Sequence, residues 1–269
     1  MFDAHCHLDL PAFDNDRDAV IHRAVQAGVE GFIVAGVDPA GWAKQRDLAE
    51  REPRVHITFG LHPWAVGGLD DEGVDAALEA LDFALDKAHD VAPVGLGEIG
   101  LDRGRRVPAE SLPRQRRAFR AQLAMARERE LPLVLHLVRC HGAALEILRE
   151  DGLPAAGGMV HGFSGSVEVA TAYASLGLHV SFSTAIARPH ASKLRRAAEA
   201  IPGELLLVET DAPDQSPDPK SGGNNEPANL PLAIRALADA RAVEPSTIAT
   251  LTSRNARRLF HLEGGGERA

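Results

Sequence analysis

Apolar, β-branched and small residues gather in eight short runs along the chain: residues 1–6, Gly31–Val37, Val55–Leu61, Pro93–Leu101, Leu131–Leu137, Gly158–Phe163, Leu178–Phe182 and Leu205–Thr210. Between them the apolar positions recur every three to four residues, the spacing of a helix with one buried face. These segments are Asp16–Ala27, Pro39–Arg51, Asp75–His89, Pro113–Glu130, Gly142–Glu150, Ser166–Leu176, Pro189–Ala200 and Pro231–Ala242, with a last one at Pro245–Phe260. Short continuous apolar runs suit strands covered on both faces. Eight of them alternating with eight helices predict an α/β fold, a (β/α)8 TIM barrel. An open doubly wound sheet is the competing arrangement, but the first strand–helix junction lacks a G-x-G-x-x-G. No linker or composition break divides the chain, so residues 1–263 read as one barrel domain and 264–269 as a flexible tail.

The 269 residues suit a single barrel, and 45% hydrophobic with 25% charged residues is a globular composition. No run approaches the roughly 18 apolar residues that would span a membrane. Nothing near the N-terminus looks like an export signal. Cys6 and Cys140 provide neither a disulfide framework nor zinc-finger spacing, which predicts a reduced, cytoplasmic setting and no membrane partner. A net charge of −9 argues against coating nucleic acid with the whole surface, while leaving room for a local cationic patch.

The chemistry lies at the strand ends. Side chains alternate along a strand, so in MFDAHCH the imidazoles of His5 and His7 project together and Cys6 faces away. Glu98 sits in GLGEIGLD, His136 in LPLVLHL, His161 in GGMVHGF, Asp211 in LLLVETDAP and His62 in FGLHP, each at or near the C-terminal end of a strand. Barrels carry their functional groups there. A single histidine after an apolar run is usually a packed core residue, and a single carboxylate a helix cap. Several such ends in one chain would bury that many polar groups needing partners, which points instead to a metal centre. Four histidines and two carboxylates exceed one tetrahedral site. The expectation is two divalent ions, with His5, His7 and Asp211 on one, His136 and His161 on the other, and Glu98 bridging. Mixed imidazole and carboxylate donors favour Zn²⁺ or Mn²⁺ over an all-oxygen Mg²⁺ site.

These residues belong to a longer series of motifs: DAHCHLD, GLHP, GEIGLD, RQRRAFRAQLAMA leading to LPLVLH, VHGFSGS, VETDAP, NEP and NARRLF, in that order from Asp3 to Phe260. The series resembles the TatD family of metal-dependent deoxyribonucleases, within the amidohydrolase-like barrels. The resemblance implies a divalent-metal centre with ligands at the same six positions, and 3′→5′ exonuclease activity. The chain departs from the family pattern at four places. Gly162 stands where nuclease-named members usually carry Cys, and Arg103 where an aromatic residue often follows GLD. Val138 replaces an arginine two residues past His136, with Arg139 one place further, and Asn224 precedes NEP in place of Arg. All four touch substrate contacts and leave the ligand set intact.

Guanidinium groups match phosphate oxygens. Arg103, Arg105 and Arg106 lie in the loop after the fourth strand, Arg114, Arg116, Arg117 and Arg120 on the next helix, and Arg139 three residues past His136. Arg139 is the expected main phosphate anchor, with Arg103 and its neighbours capturing from outside. Aromatics at 4% rule against an extended stacking groove, leaving Trp64 and Phe163 to stack on one terminal base. Asp211 is expected to act as general base beside the bridging Glu98, and His62 to orient phosphate or protonate the leaving oxygen. Glu209 shares the strand parity of Asp211 and Asp3 lies two residues below His5, so both are expected to steady ligand histidines. The reading is a monomeric metal-dependent hydrolase that cleaves phosphodiester bonds at single-stranded or frayed DNA ends. Its alternatives are a phosphomonoesterase or an esterase or deacylase on a small substrate at the same metals. A non-catalytic metal- or nucleic-acid-binding protein is disfavoured by the spare carboxylate base.

Overall fold

The computed structural model describes residues 1–86, 91–220 and 222–262. Eight strands run parallel: β1 (Phe2–Cys6), β2 (Gly31–Ala35), β3 (Val55–Phe59), β4 (Gly95–Asp102), β5 (Leu133–Val138), β6 (Gly158–Val160), β7 (His179–Phe182) and β8 (Leu206–Val208). They pair in chain order, each beside its sequence neighbours. A doubly wound sheet would reverse direction at a switch point, so that alternative is excluded. The helices between them are α1 (Arg17–Gln26), α2 (Pro39–Arg51), α3 (Pro63–Gly67), α4 (Asp71–Asp86), α5 (Leu112–Glu128), α6 (His141–Asp151), α7 (Val167–Ser175), α8 (Ser192–Ala200), α9 (Leu230–Arg241) and α10 (Pro245–Leu259). The result is a nearly closed TIM barrel. No helix among the described residues is long and apolar enough to cross a membrane.

The helices differ from expectation around β3 and at α8, which starts three residues late, at Ser192 in place of Pro189. A short α3 follows β3 directly, begun by Pro63 at its first turn and capped by the His62 ring, whose Nδ1 accepts from the Trp64 N–H at 2.9 Å. Helix α4 starts one turn earlier than expected, at Asp71, with Asp71 and Glu72 in its first turn. Its expected continuation over residues 87–89, and the expected tail 264–269, lie outside the described residues.

The seam between β8 and β1 is closed beyond the strand ends. Asp211 N–H donates to His5 O at 2.9 Å and His7 N–H to Ala212 O at 2.8 Å. Below these, the Asp3 carboxylate accepts from Thr210 N–H at 2.9 Å and from the Thr210 hydroxyl at 2.6 Å. Asp3 was expected to stand behind His5 and steady its ring. Its Oδ1 accepts from the His5 backbone N–H at 3.4 Å, so it holds the backbone of His5 and clasps the seam, and the β1–β2 register shift between Asp3 and Cys6 breaks the simple alternation that would put it behind the ring.

Two apolar clusters form among the described residues. The larger lies between the strands and the surrounding helices. The smaller joins Phe2, Ala4, Ile33, Val134, Met159 and Leu207 of the strands to Ala256, Leu259 and Phe260 at the end of α10. Helix α10 thus forms a floor under the strands, opposite the end where the polar residues gather.

Candidate metal centre

Six side chains from β1, β4, β5 and the segments after β1, β6 and β8 meet at the C-terminal end of the barrel, all at least nine-tenths buried. Glu98 is at their middle. Its Oε2 lies 3.6 Å from His5 Nε2 and 3.3 Å from His7 Nε2. Its Oε1 lies 2.6 Å from His136 Nδ1 and 2.7 Å from His161 Nε2. Asp211 Oδ1 completes the first group, 3.5 Å from His5 Nε2 and 3.6 Å from His7 Nε2. Within each group the ring nitrogens converge, at 3.2 Å for His5 and His7 and 2.9 Å for His136 and His161. Three overlapping triads among these residues and His62 bring their ligand atoms within 4.8 Å of one another.

Asp211 reaches the group by a route that strand alternation does not describe. Strand β8 stops at Val208, and Asp211 takes a left-handed backbone, φ 57°, that turns its carboxylate inward while its N–H holds His5 O. Strand β6 likewise stops at Val160. After it the backbone turns left-handed at Gly162, φ 52°, whose N–H donates to Glu209 Oε1 at 2.5 Å. The same Glu209 oxygen lies 3.5 Å from His161 Nδ1, behind that ring.

Hydrogen bonds behind the rings determine which nitrogens hold protons. His7 Nδ1 donates to Ala35 O at 3.2 Å, which leaves a lone pair on the Nε2 that faces Glu98. His136 Nε2 faces Asp102 Oδ2 at 3.3 Å, which leaves a lone pair on Nδ1. Lone pairs and carboxylate oxygens converging on one buried point are a donor set in need of a cation, so these residues fit divalent metal ions. His62 differs. Its Nδ1 accepts from Trp64 N–H, so neutral His62 carries its proton on Nε2, 3.3 Å from Glu98 Oε1. It is a hydrogen-bond donor to the centre, with no lone pair turned inward.

Electrostatics separate the same residues. Burial alone would raise Glu98, but His161, His62, His5 and the bond to His136 hold it well below the usual carboxylate range. Asp211 is held low against burial by His7, His161 and His5. Burial would lower His7, yet Asp211 and Glu98 push it up to about 9, a field that equally attracts a metal cation. At His62 burial wins and pushes the ring down to about 4, keeping it neutral. Burial lifts the Asp3 carboxyl to about 8 despite its bonds to Thr210.

Around the mouth, Trp64 is 41% exposed, its ring edge-on to His62 at 4.5 Å, and it can meet a ligand. Phe163 cannot. It is 3% exposed and packs edge-on against Phe182 at 5.8 Å, within the large apolar cluster. The stacking role expected of Phe163 is therefore corrected to core packing, because its ring turns outward from the barrel between β6 and β7. Arg103, Arg105, Arg106 and Arg139 are exposed, Arg139 with a left-handed φ of 55°. Arg106 lies near enough to Asp214, in the loop after β8, to offset part of the rise that burial imposes on that carboxyl. On α5, Arg116, Arg117 and Arg120 pair with Glu146, with Asp71 and Asp75, and with Glu150 and Asp151, and serve the helix surface.

Asp102, at the end of β4, escaped the sequence reading. Its Oδ2 accepts from Trp64 Nε1–H at 2.9 Å while facing His136 Nε2, so one carboxylate orients both a candidate ligand and the exposed ring at the mouth. Gln115 of α5 clamps the Asp102 backbone, accepting from its N–H at 2.8 Å and donating to its carbonyl at 3.1 Å. Two turns along, Gln122 does the same for Leu61, beside His62. Position was the available signal: Asp102 falls four residues past Glu98 on one strand, and the two glutamines are seven apart on one helix.

Residues 2–261 match the family described as TatD related DNase. The uncharacterized metal-dependent hydrolase YjjV of Escherichia coli K12 is 35% identical over 260 residues, covering 97% of each chain. The Salmonella typhimurium protein named 3′-5′ ssDNA/RNA exonuclease TatD is 35% identical over 272 residues, 97% of this chain and 99% of its own. The crystal structure of YjjV matches with a TM-score of 0.89 at 34% identity, covering 97% of this chain and 98% of that one. The chain belongs to the TatD family and is a metal-dependent hydrolase acting on ester bonds.

Proposed function

We propose that the chain is a 3′→5′ exonuclease acting on single-stranded or frayed DNA ends, with two divalent ions at the mouth of the barrel. His5, His7 and Asp211 would hold one ion, His136 and His161 the other, and Glu98 would give an oxygen to each. The observation that supports this most directly is the division of Glu98, one oxygen toward each histidine pair. The relative named as a 3′-5′ exonuclease supports the choice of substrate. When bound, such ions polarise a phosphodiester and lower the pKa of water.

The chain's own residues supply the rest. Asp211 turns Oδ1 to the histidines, and its other oxygen accepts the proton of the attacking water. His62, neutral and protonated on Nε2, donates to a phosphate oxygen. Its lowered pKa suits orientation better than proton donation to the leaving group. Trp64 stacks on the terminal base, and Arg139 and Arg103, exposed on the loops after β5 and β4, hold its phosphates.

The test is cleavage of end-labelled single-stranded DNA against a covalently closed circle, with protein stripped of metal and then given Mg²⁺, Mn²⁺ or Zn²⁺. The expected result is shortening from the 3′ end and an intact circle. Equal cutting of both would make the protein an endonuclease. Cutting of neither, with turnover of a small phosphomonoester or carboxylic ester, would move the substrate to that class.

A further inference from the structure

A groove of about 740 Å³, within the size range of ligand sites (roughly 300–1,000 Å³), is lined by loops at the end of the barrel that carries the candidate metal centre. Its walls come from the segments after β6, β7 and β8 and the start of α8. Two of those segments also carry His161 and Asp211. Asn225 ties the walls to the centre, donating to Thr184 Oγ1 at 2.9 Å and to Thr210 O at 2.8 Å.

Charge along the groove opposes the charge of the chain. Arg188, Lys193 and Lys220 line it against one carboxylate among the described residues, Asp218, in a protein of net charge −9. The Arg188 Nε and Nη2 both donate to Ser216 O, at 2.9 and 2.8 Å, and Lys193 Nζ donates to Ser164 O at 3.2 Å. Two of the cations thus stitch the three walls together and are held in place. Lys220 bonds only through its backbone N–H, to Asp218 Oδ1 at 3.0 Å, and its ammonium makes no bond among the described residues. Between the cations the surface is mostly apolar, with Pro189 and Pro217 offering flat faces in place of aromatic rings.

We infer that this groove binds the part of a single-stranded nucleic acid that continues past the metal centre, its phosphates on Lys193, Lys220 and Arg188 and its sugars and bases on the proline faces. Cations spaced along an apolar channel track a flexible polyanion. An acidic chain needs such a channel to keep a polyanion at its mouth between cleavage steps. Position supports this occupant, since two of the segments that wall the groove also carry His161 and Asp211, and a strand whose end lies at Glu98 can leave between them. The inference rests on the exonuclease reading and extends it from one nucleotide to several.

The experiment compares kcat/KM on a dinucleotide with that on a labelled strand of about ten nucleotides, within the span of single-strand sites. Wild type is compared with Lys220→Gln and with Lys193→Gln/Lys220→Gln, across a salt series. Wild type is expected to prefer the long strand. The double variant should lose that preference on the order of tenfold, and its salt slope should fall by about 1.4, at about 0.7 per lost phosphate contact. Lys220→Gln should show about half of each change, and since its ammonium ties no wall it separates lost binding from a disturbed loop. If both variants keep the preference and the slope while wild type cleaves, the groove is not a track and the nuclease reading stands. If wild type cleaves neither substrate with any of the three metals, the nuclease reading fails and the groove inference with it.

Discussion

Along three of the strands, the two ends of the barrel differ completely within two residues. On β5 the floor residue Val134 lies two positions before His136. Met159 of β6 and His161 just past its end are spaced likewise, as are Leu207 of β8 and Glu209 just past its end. Two residues of strand advance about 6.6 Å, and over that distance the environment passes from hydrocarbon to converging imidazoles and carboxylates. Histidine feels both ends. His7 at the mouth is pushed up to about 9 by Asp211 and Glu98, whereas burial pushes His179, near the floor at the start of β7, down to about 4. The floor gains its stability from burying carbon. The mouth is a cluster of buried carboxylates and imidazoles whose charges offset one another, with protons or a metal cation as the partner of the carboxylates.

The largest expected effect removes the mouth's centre. Glu98→Ala should abolish hydrolysis and strip metal from the protein, measured by turnover and by metal content. Asp211→Asn should lower kcat by about 10²–10⁴-fold, as for loss of a general base, and keep more metal than Glu98→Ala, because an amide still ligates weakly. Equal metal loss in both variants would remove the case for Asp211 as the base.

The floor should respond the other way. Phe260 is 1% exposed at the end of α10, and Phe260→Ala should cost about 3–5 kcal/mol of stability while metal per folded molecule stays at the wild-type level. A metal content that falls with this substitution would show that the two ends are coupled. His179 tests the floor through pH. Its folded pKa, about 4, is depressed below the ordinary value of 6.5, so the unfolded chain binds more protons between these two values. Its contribution is full above pH 6.5 and is lost as pH falls toward 4, with a ceiling on the order of 3 kcal/mol for this shift. Urea midpoints across that window should slope less steeply in His179→Leu than in wild type, and an unchanged slope would place the acid sensitivity elsewhere.

Periodicity reads well where backbone and pattern agree. The eight apolar runs became eight strands, and the six strand-end residues came together, because in a parallel barrel every run must be covered on both faces and its end must open on one side. It reads poorly where the backbone departs from the ladder. Register shifts fall between Asp3 and Cys6 on β1 and between Leu96 and Ile99 on β4, beside His5 and at Glu98. Alternation cannot foresee either shift, and so it points Asp3 at the His5 ring when the carboxylate in fact holds the His5 backbone and the seam. Phe163 lies two residues past His161, but the left-handed turn at Gly162 between them sends its ring into the large apolar cluster. Long-range partners are hidden for another reason. The bonds of Asp102 to Trp64 and His136 join β4 to α3 and to β5, and no local pattern encodes them.

Asp102 also carries the smallest of these effects. Its carboxylate is 5% exposed and holds the Nε2–H of His136, which keeps the Nδ1 lone pair turned to Glu98. Burial would raise its pKa, but the bonds from His136, Gly104 and Trp64 hold it low, so it stays a charged acceptor at neutral pH. Asp102→Asn keeps the shape and removes the charge, and its amide, once flipped, turns a donor toward the ring. Losing a carboxylate behind a ligand histidine typically costs 10–100-fold in metal affinity, and that is the loss expected here, read by titrating stripped protein with Zn²⁺ or Mn²⁺. The weakening should be confined to the ion nearest His136, leaving a first binding step close to that of wild type. Uniform weakening of every binding step would mean that Asp102 supports the mouth as a whole, and that the two histidine groups act as one site.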